Sequence, residues 1–365
     1  MKAESFYDAL IDSGIELFCG VPDSLLKSLC ACITQRTPAE RNIISANEGN
    51  ALATAAGHYL ATGKPAVVYM QNSGLGNIIN PLLSLNDPDV YNIPALLIIG
   101  WRGEPGIADE PQHITQGKLT IPLLETMGVR YETLTNERQI EGAMNYMAQT
   151  NRPFAFIVRK NCFDPFPMDE SEQKYELTRE KAIQTTLKLL HDEDIVVSTT
   201  GMISREVYEN RPTHEKDFLT VGGMGHTSSI AFGVALSKQE RMVYCFDGDG
   251  SVLMHMGALP VTASYKLKNL KHIIFNNEAH DSVGGQPTVM GRVKLAELLL
   301  NAGYERVFEA YSADNIQQCW DDFASNSVSS ALIIYVRRGA RKDLGRPKEK
   351  PQENKLAFMK FIKEY

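Results

Sequence analysis

The stretch MVYCFDGDGSVLMHMGALPVTASYKLKNLKHIIFNN, residues 242–277, decides the fold. It opens on an apolar run, Met242–Phe246, passes through Asp247-Gly248-Asp249-Gly250-Ser251, and returns in a second run, His272–Phe275, that closes on Asn276-Asn277. Twenty-five residues lie between Gly250 and Asn276, room for a helical crossover and a return strand. Both runs are short, continuous and rich in β-branched and aromatic residues, so they read as strands buried on two faces and joined as one βαβ unit of a parallel sheet. Both strands of such a unit end at the same carboxyl edge, where open α/β sheets bind ligands, so Asp249 and Asn277 can approach one point.

The same grammar extends in both directions. Ala66–Met70, Ala95–Gly100, Phe154–Val158, Ile195–Ser198 and Leu332–Val336 are further strand-like runs, with helical stretches such as Gly49–Ala61 and Ile183–Leu190 between them. Strands alternating with helices imply an α/β protein of doubly wound parallel sheets. Residues 161–179 are rich in Pro and acid and lack apolar periodicity, which places a boundary there: a first domain at 1–165, a linker at 166–179 and a second domain at 180–365.

Composition narrows the function. The 37 Lys and Arg against 44 Asp and Glu give a formal charge of −7, which argues against nucleic acid as a partner. No apolar run approaches 18 residues, and Glu4 and Asp8 interrupt the start where a signal peptide is apolar, so the reading is cytoplasmic and without a membrane partner. Six scattered cysteines without a CxxC pair suit neither a disulfide framework nor a zinc site.

The chemistry gathers at the two strand ends. A carboxylate from Asp249, an amide oxygen from Asn277 and a backbone carbonyl such as that of Ala279 are the hard donors Mg²⁺ prefers, and they leave positions for phosphate oxygens. Gly248, Gly250 and Ser251 offer backbone amides and a helix start to a diphosphate. Val221-Gly222-Gly223-Met224-Gly225-His226 superficially resembles a dinucleotide turn, but Ser228 stands at the third glycine position and no ribose-binding acid follows, which disfavours an NAD-linked dehydrogenase.

The Gly248-Asp249-Gly250 to Asn276-Asn277 pattern resembles the fingerprint of thiamine diphosphate enzymes. The resemblance implies two domains of the thiamine diphosphate-binding fold, pyrimidine-binding then diphosphate-binding, with thiamine diphosphate and Mg²⁺ as cofactors. It assigns Glu48, in Asn47-Glu48-Gly49-Asn50, as the residue that activates the aminopyrimidine. It puts Met224 under the cofactor, Thr200 and Gly201 beside the diphosphate with Gly223, and Asn72 or Ser73 of the loop after Met70 at the reacting centre.

The absence of a middle domain looks like the phosphonopyruvate and sulfopyruvate decarboxylase group. GVPDSLL at 20–26, NEGNA at 47–51, MQNSGLGN at 70–77, DEPQH at 109–113, NNEAHDSVGGQPT at 276–288 and RKDLGRP at 341–347 carry that resemblance along nearly the whole chain. The last element and the fusion of both halves in one chain point to the phosphonate branch: 3-phosphonopyruvate decarboxylated through a thiamine diphosphate ylid to phosphonoacetaldehyde, in phosphonate biosynthesis. Sulfopyruvate as substrate and a non-catalytic cofactor-binding subunit are the alternatives. His113, His280 and Asp281 are candidates for proton transfer or carboxylate contact, and Arg341, Lys342 or Arg346 of the basic run after Val336 for a lid that holds the phosphonate. The resemblance also implies a homo-oligomer with its sites at subunit interfaces.

Overall fold

The continuous apolar runs fold as inner strands of two six-stranded parallel sheets. A computed structural model describes residues 1–168, 172–325 and 327–364, and the chain forms two compact units, Met1–Glu170 and Ser171–Tyr365. Asp169, Glu170 and Ser171, within the expected linker, lie outside the described residues.

The first unit contains β1 (Phe18–Gly20), β2 (Asn42–Ile44), β3 (Val67–Gln71), β4 (Leu96–Gly100), β5 (Arg130–Thr133) and β6 (Phe154–Val158), in the order β2-β1-β3-β4-β6-β5. The second contains β7 (Ile195–Ser198), β8 (Asp217–Leu219), β9 (Val243–Gly248), β10 (Leu270–Asn276), β11 (Arg306–Ala310) and β12 (Ser330–Tyr335), in the order β11-β12-β10-β9-β7-β8. Counted from its own first strand, each sheet has one and the same order, 2-1-3-4-6-5. The winding direction reverses between the first and third strands, so each sheet opens a crevice at its carboxyl edge there: between β1 and β3, and between β7 and β9.

Burial on two faces is visible residue by residue. In the first sheet Val67, Tyr69, Leu96, Ile98, Phe154 and Phe156 enter one apolar cluster, while Val68, Met70, Leu97, Ile99, Ala155 and Ile157 enter another. β5, β8 and β11 are absent from the sequence reading because they are edge strands, where Arg130, Glu132, Asp217 and Glu309 break the apolar run. β1 escapes it because it is only three residues long.

Helix starts follow local capping chemistry. Asn47 Oδ1 accepts from Asn50 N at 3.0 Å and caps Glu48–Thr62, which ends at Gly63 in the left-handed region. The C-terminal helix Pro351–Glu364 covers the edge of β8: Leu219 N donates to Asn354 Oδ1 at 3.2 Å, and Phe358 is buried with Ile195 and Val197.

Phe156 is fully buried and packs edge-on against Phe154 at 5.2 Å and Phe6 at 6.3 Å. Phe156→Ala is expected to cost about 3–5 kcal/mol, read from the urea midpoint; a shift below 1 kcal/mol contradicts this packing.

Candidate active site

β9 and β10 are adjacent and in register, Phe275 opposite Gly248, so Asp249 and Asn277 leave the sheet side by side at its carboxyl edge. Asp249 is 2% exposed, and its Oδ2 accepts from Thr288 Oγ1 at 2.5 Å. Burial pushes its carboxyl up to about 7, against the opposing pull of Thr288 and the Gly250 amide. Thr288 reaches Asp249 because the loop after β10 folds back as a clasp: Ala279 bridges Pro287, His280 N donates to Gln286 O at 2.8 Å, and Thr288 N to Glu278 O at 3.0 Å. Glu278, between Asn277 and Ala279, sits at φ 57°, a left-handed conformation, and its Oε1 accepts from Lys174 Nζ at 2.6 Å and Tyr175 OH at 2.9 Å.

Asn277 is oriented by the carboxylate four residues on. Asp281 Oδ2 accepts from Asn277 Nδ2 at 2.6 Å, from Arg179 Nη1 at 2.8 Å and from Gly339 N at 3.0 Å. The Asn277 amide nitrogen is thereby committed to Asp281, and its oxygen accepts from Ala279 N at 3.1 Å, with a second lone pair remaining. Asp281, a candidate for proton transfer or carboxylate contact, thus forms an ion pair with the buried Arg179 and accepts from Asn277.

The diphosphate candidates line the β7/β9 crevice. Thr199 Oγ1 donates to Ser251 Oγ at 3.1 Å, Thr200 Oγ1 to Val221 O at 2.9 Å, and Gly201, at φ 93°, opens the helix Met202–Glu209. Gly248 N donates to Asp247 Oδ1 at 2.9 Å. A Cβ on Gly250 would lie 3.0 Å from His280 Nδ1 and 3.8 Å from Met224 Cε, so both side chains close over that glycine. Met224 stands between Gly223 at φ 64° and Gly225 at φ 85°, a turn that side-chain-bearing residues rarely adopt. Burial holds the His280 imidazole down at about 4, so it is neutral at pH 7.

In the first unit, Glu48 opens its helix with 4% of its surface exposed, and its Oε2 accepts from Asn77 Nδ2 at 2.6 Å. Burial raises its carboxyl above the ordinary Glu range, and Asn77 opposes that rise. A Cβ on Gly74 would come 2.5 Å from Glu48 Cγ, so glycine at 74 is what lets the carboxyl lie against the loop after β3. Both amide hydrogens of Asn72 are spent inside the unit, on Arg102 O and Thr120 Oγ1 at 2.8 Å each. The expected donor in this loop is thereby narrowed to Ser73, whose hydroxyl rests on Gln71 Oε1 at 2.8 Å. His113 lies on the helix Pro111–Thr126, and burial, with Arg102 second, brings its imidazole down to about 4.

The basic run is tied down along most of its length. Arg341, expected in a lid, pairs here with Glu180, Glu209 and Asp343. Lys342 and Arg346 are exposed. Arg338 of this run reaches the loop after β10, donating to Asn277 O and Glu278 O at 3.3 Å each.

Family models match both halves: the N-terminal thiamine pyrophosphate-binding domain of thiamine pyrophosphate enzymes over residues 2–124, and the C-terminal one over 197–330. A phosphonopyruvate decarboxylase of Streptomyces viridochromogenes is 34% identical over 96% of this chain and 92% of its own length. The chain belongs to the thiamine pyrophosphate enzymes. A phosphonopyruvate decarboxylase of Streptomyces hygroscopicus is 33% identical over 100% of this chain and 94% of its own. A sulfopyruvate decarboxylase of Methanosarcina acetivorans is 29% identical over 92% and 91%. Because that protein is also aligned along both halves, fusion in one chain does not by itself separate the two substrates.

Within this thiamine pyrophosphate enzyme the N-terminal match contains Glu48, Ser73 and His113, and the C-terminal match Met224, Asp249, Asn277 and His280. Thr288, Asn77 and Gly74 go unassigned in the sequence reading although all three lie inside motifs it quotes; their roles depend on loop return and close approach, which spacing does not encode. A carboxyl raised by burial is stabilising in its protonated form, and that contribution is lost as pH climbs toward and past the folded value. Asp249→Asn is therefore expected to raise the melting temperature of metal-free protein most at pH 8 and distinctly less at pH 5, which lies between the ordinary Asp value and the folded one. An equal shift at both pH values excludes a buried, raised carboxyl.

Proposed function

We propose that this chain is a carboxy-lyase that converts 3-phosphonopyruvate to phosphonoacetaldehyde and CO2, with thiamine diphosphate and Mg²⁺ as cofactors. The observation that carries the reading is the retention, in one chain aligned end to end with phosphonopyruvate decarboxylases, of both buried carboxyls: Glu48 against Gly74, and Asp249 beside Asn277. A non-catalytic subunit has no use for the two together.

The donors fit the cofactor. Asp249 is a buried carboxylate whose raised value marks a missing counter-charge, and a divalent cation supplies it. Asp249, the Asn277 oxygen and the Ala279 carbonyl would hold Mg²⁺, and the amides around Gly250 and Ser251, with Thr200, would orient the diphosphate. Bound there, thiamine diphosphate supplies a carbon centre that accepts the electron pair left by departing CO2. Glu48 would share a proton with the aminopyrimidine ring, a task suited to a carboxyl whose protonated form burial favours and which Asn77 holds in place. Met224 shapes the cavity over Gly250, and His280, neutral there, can donate or accept one hydrogen bond.

A second reading, 3-sulfopyruvate as substrate, is supported by the full-length likeness to the Methanosarcina protein. The reading also includes a cytoplasmic homo-oligomer with sites at subunit interfaces. Among the described residues no helix is long and apolar enough to cross a membrane.

Release of CO2 from 3-phosphonopyruvate, 3-sulfopyruvate and pyruvate, measured on protein loaded with Mg²⁺ and thiamine diphosphate, is expected to favour the phosphonate; a preference for sulfopyruvate reverses the assignment. Glu48→Gln is expected to lose at least about 10²-fold in kcat while still binding thiamine diphosphate by calorimetry. Unchanged kcat would refute the role of Glu48.

A further inference from the structure

A dianionic head group drawn out of water needs fixed donors, and the first unit offers an arranged set. We propose that Arg102, with Ser24 beside it, forms a subsite for a tetrahedral dianion; resting on the function proposed above, that dianion is the phosphonate of the substrate.

Ser24 follows β1 and Arg102 follows β4, both at the carboxyl edge of the sheet that opens at the β1/β3 crevice. The Arg102 guanidinium is built in rather than adrift. Its Nε and Nη2 donate to the two oxygens of Asp109 at 2.8 and 2.5 Å, and its Nη1 to Ser24 Oγ at 2.8 Å. Its backbone is clamped by one side chain: Asn72 Nδ2 donates to Arg102 O at 2.8 Å, and Arg102 N to Asn72 Oδ1 at 3.2 Å. Ser24 is fixed from the other side, because the fully buried Asp23 accepts from Leu25 N at 2.8 Å and Gln71 Nε2 at 2.6 Å.

A guanidinium carries five N–H groups, and these three bonds leave one on Nη1 and one on Nη2. Their side chain is 19% exposed and that of Asp109 14%, so the donors are reachable yet largely shielded from water, where charge-assisted bonds are strong. A second observation points to a ligand here. His113 Nδ1 and Gln112 Oε1 are buried without a hydrogen-bond partner, and His113 packs its backbone against Gly103, the residue after Arg102. Buried polar atoms left without partners are costly, and an anionic oxygen can accept from His113 Nδ1 when that nitrogen carries the ring proton.

The chemistry of the reaction selects which anion sits there. A fork on the carboxylate would stabilise the charge that disappears as CO2 leaves, which raises the barrier. A fork on the phosphonate holds a charge that is the same before and after, so it strengthens binding without opposing the step.

The test uses holoenzyme loaded with Mg²⁺ and thiamine diphosphate. In Arg102→Gln the ratio of kcat/KM for 3-phosphonopyruvate to that for pyruvate is expected to fall about tenfold to a hundredfold. Binding of phosphonoacetate, which carries the phosphonate but no ketone, is expected to weaken by a similar factor in calorimetry. Both quantities unchanged would overturn the subsite. Wild-type protein that leaves phosphonopyruvate intact but binds phosphonoacetate through Arg102 would overturn the proposed function and keep the subsite. If Arg102→Gln does not fold, judged by its melting temperature, Ser24→Ala carries the test: the ratio is expected to fall about threefold, and no change overturns the proposal.

Discussion

A carboxylate withdrawn from water at the end of a strand must have its charge answered, and much of the second unit is organised around that requirement at Asp249. Thr288 supplies one donor, and it is present only because the loop after β10 closes on itself through Ala279 and Pro287. The loop in turn hangs on Asp281, and Asp281 on Arg179, a buried cation shared with Glu206. A buried charge that loses its partner is far more destabilising than the pair is stabilising, so these groups stand or fall together. Glu278 adds a strained backbone position, held in place by Lys174 and Tyr175, between Asn277 and Ala279.

The first unit solves a different problem by different means. Among the described residues no cation pairs with Glu48; Asn77 gives it one hydrogen bond, and the absence of side chains at Gly74 and Gly49 lets the loop after β3 approach it. The result is a carboxyl biased toward its protonated form and fixed in direction, which suits proton sharing with a ring nitrogen better than salt-bridge formation.

Much of this was legible in the amino-acid order. The runs that became β3, β4, β6, β7, β9, β10 and β12 are continuous in apolar residues because both sheet faces are covered, and Asp249 and Asn277 stand directly after strands, with Glu48 opening the helix after β2. Edge strands were not legible, since one of their sides meets water and polar residues enter. Side-chain commitments were not legible either. Asn72, Asp281 and Arg341 have the right chemistry for a ligand, but each spends it on Arg102 and Thr120, on Arg179, or on Glu180 and Glu209. Sequence supplies the type of a group and its approximate place; only the three-dimensional neighbours show whether that group is still available.

The shared strand order 2-1-3-4-6-5 carries a consequence for how such a chain can change. Each sheet takes all its strands from one unit, so no ladder of hydrogen bonds depends on the connection between them. The candidate site residues of each unit lie in the segments that follow its first four strands: Ser24, Glu48, Ser73 and Arg102 in one, Thr200, Met224, Asp249 and Asn277 in the other. Substitutions there leave both apolar cores untouched. A scaffold of this kind can exchange one small anionic substrate for another through two or three loop positions, with little penalty in folding, and relatives that share its frame can therefore differ in the acid they decarboxylate.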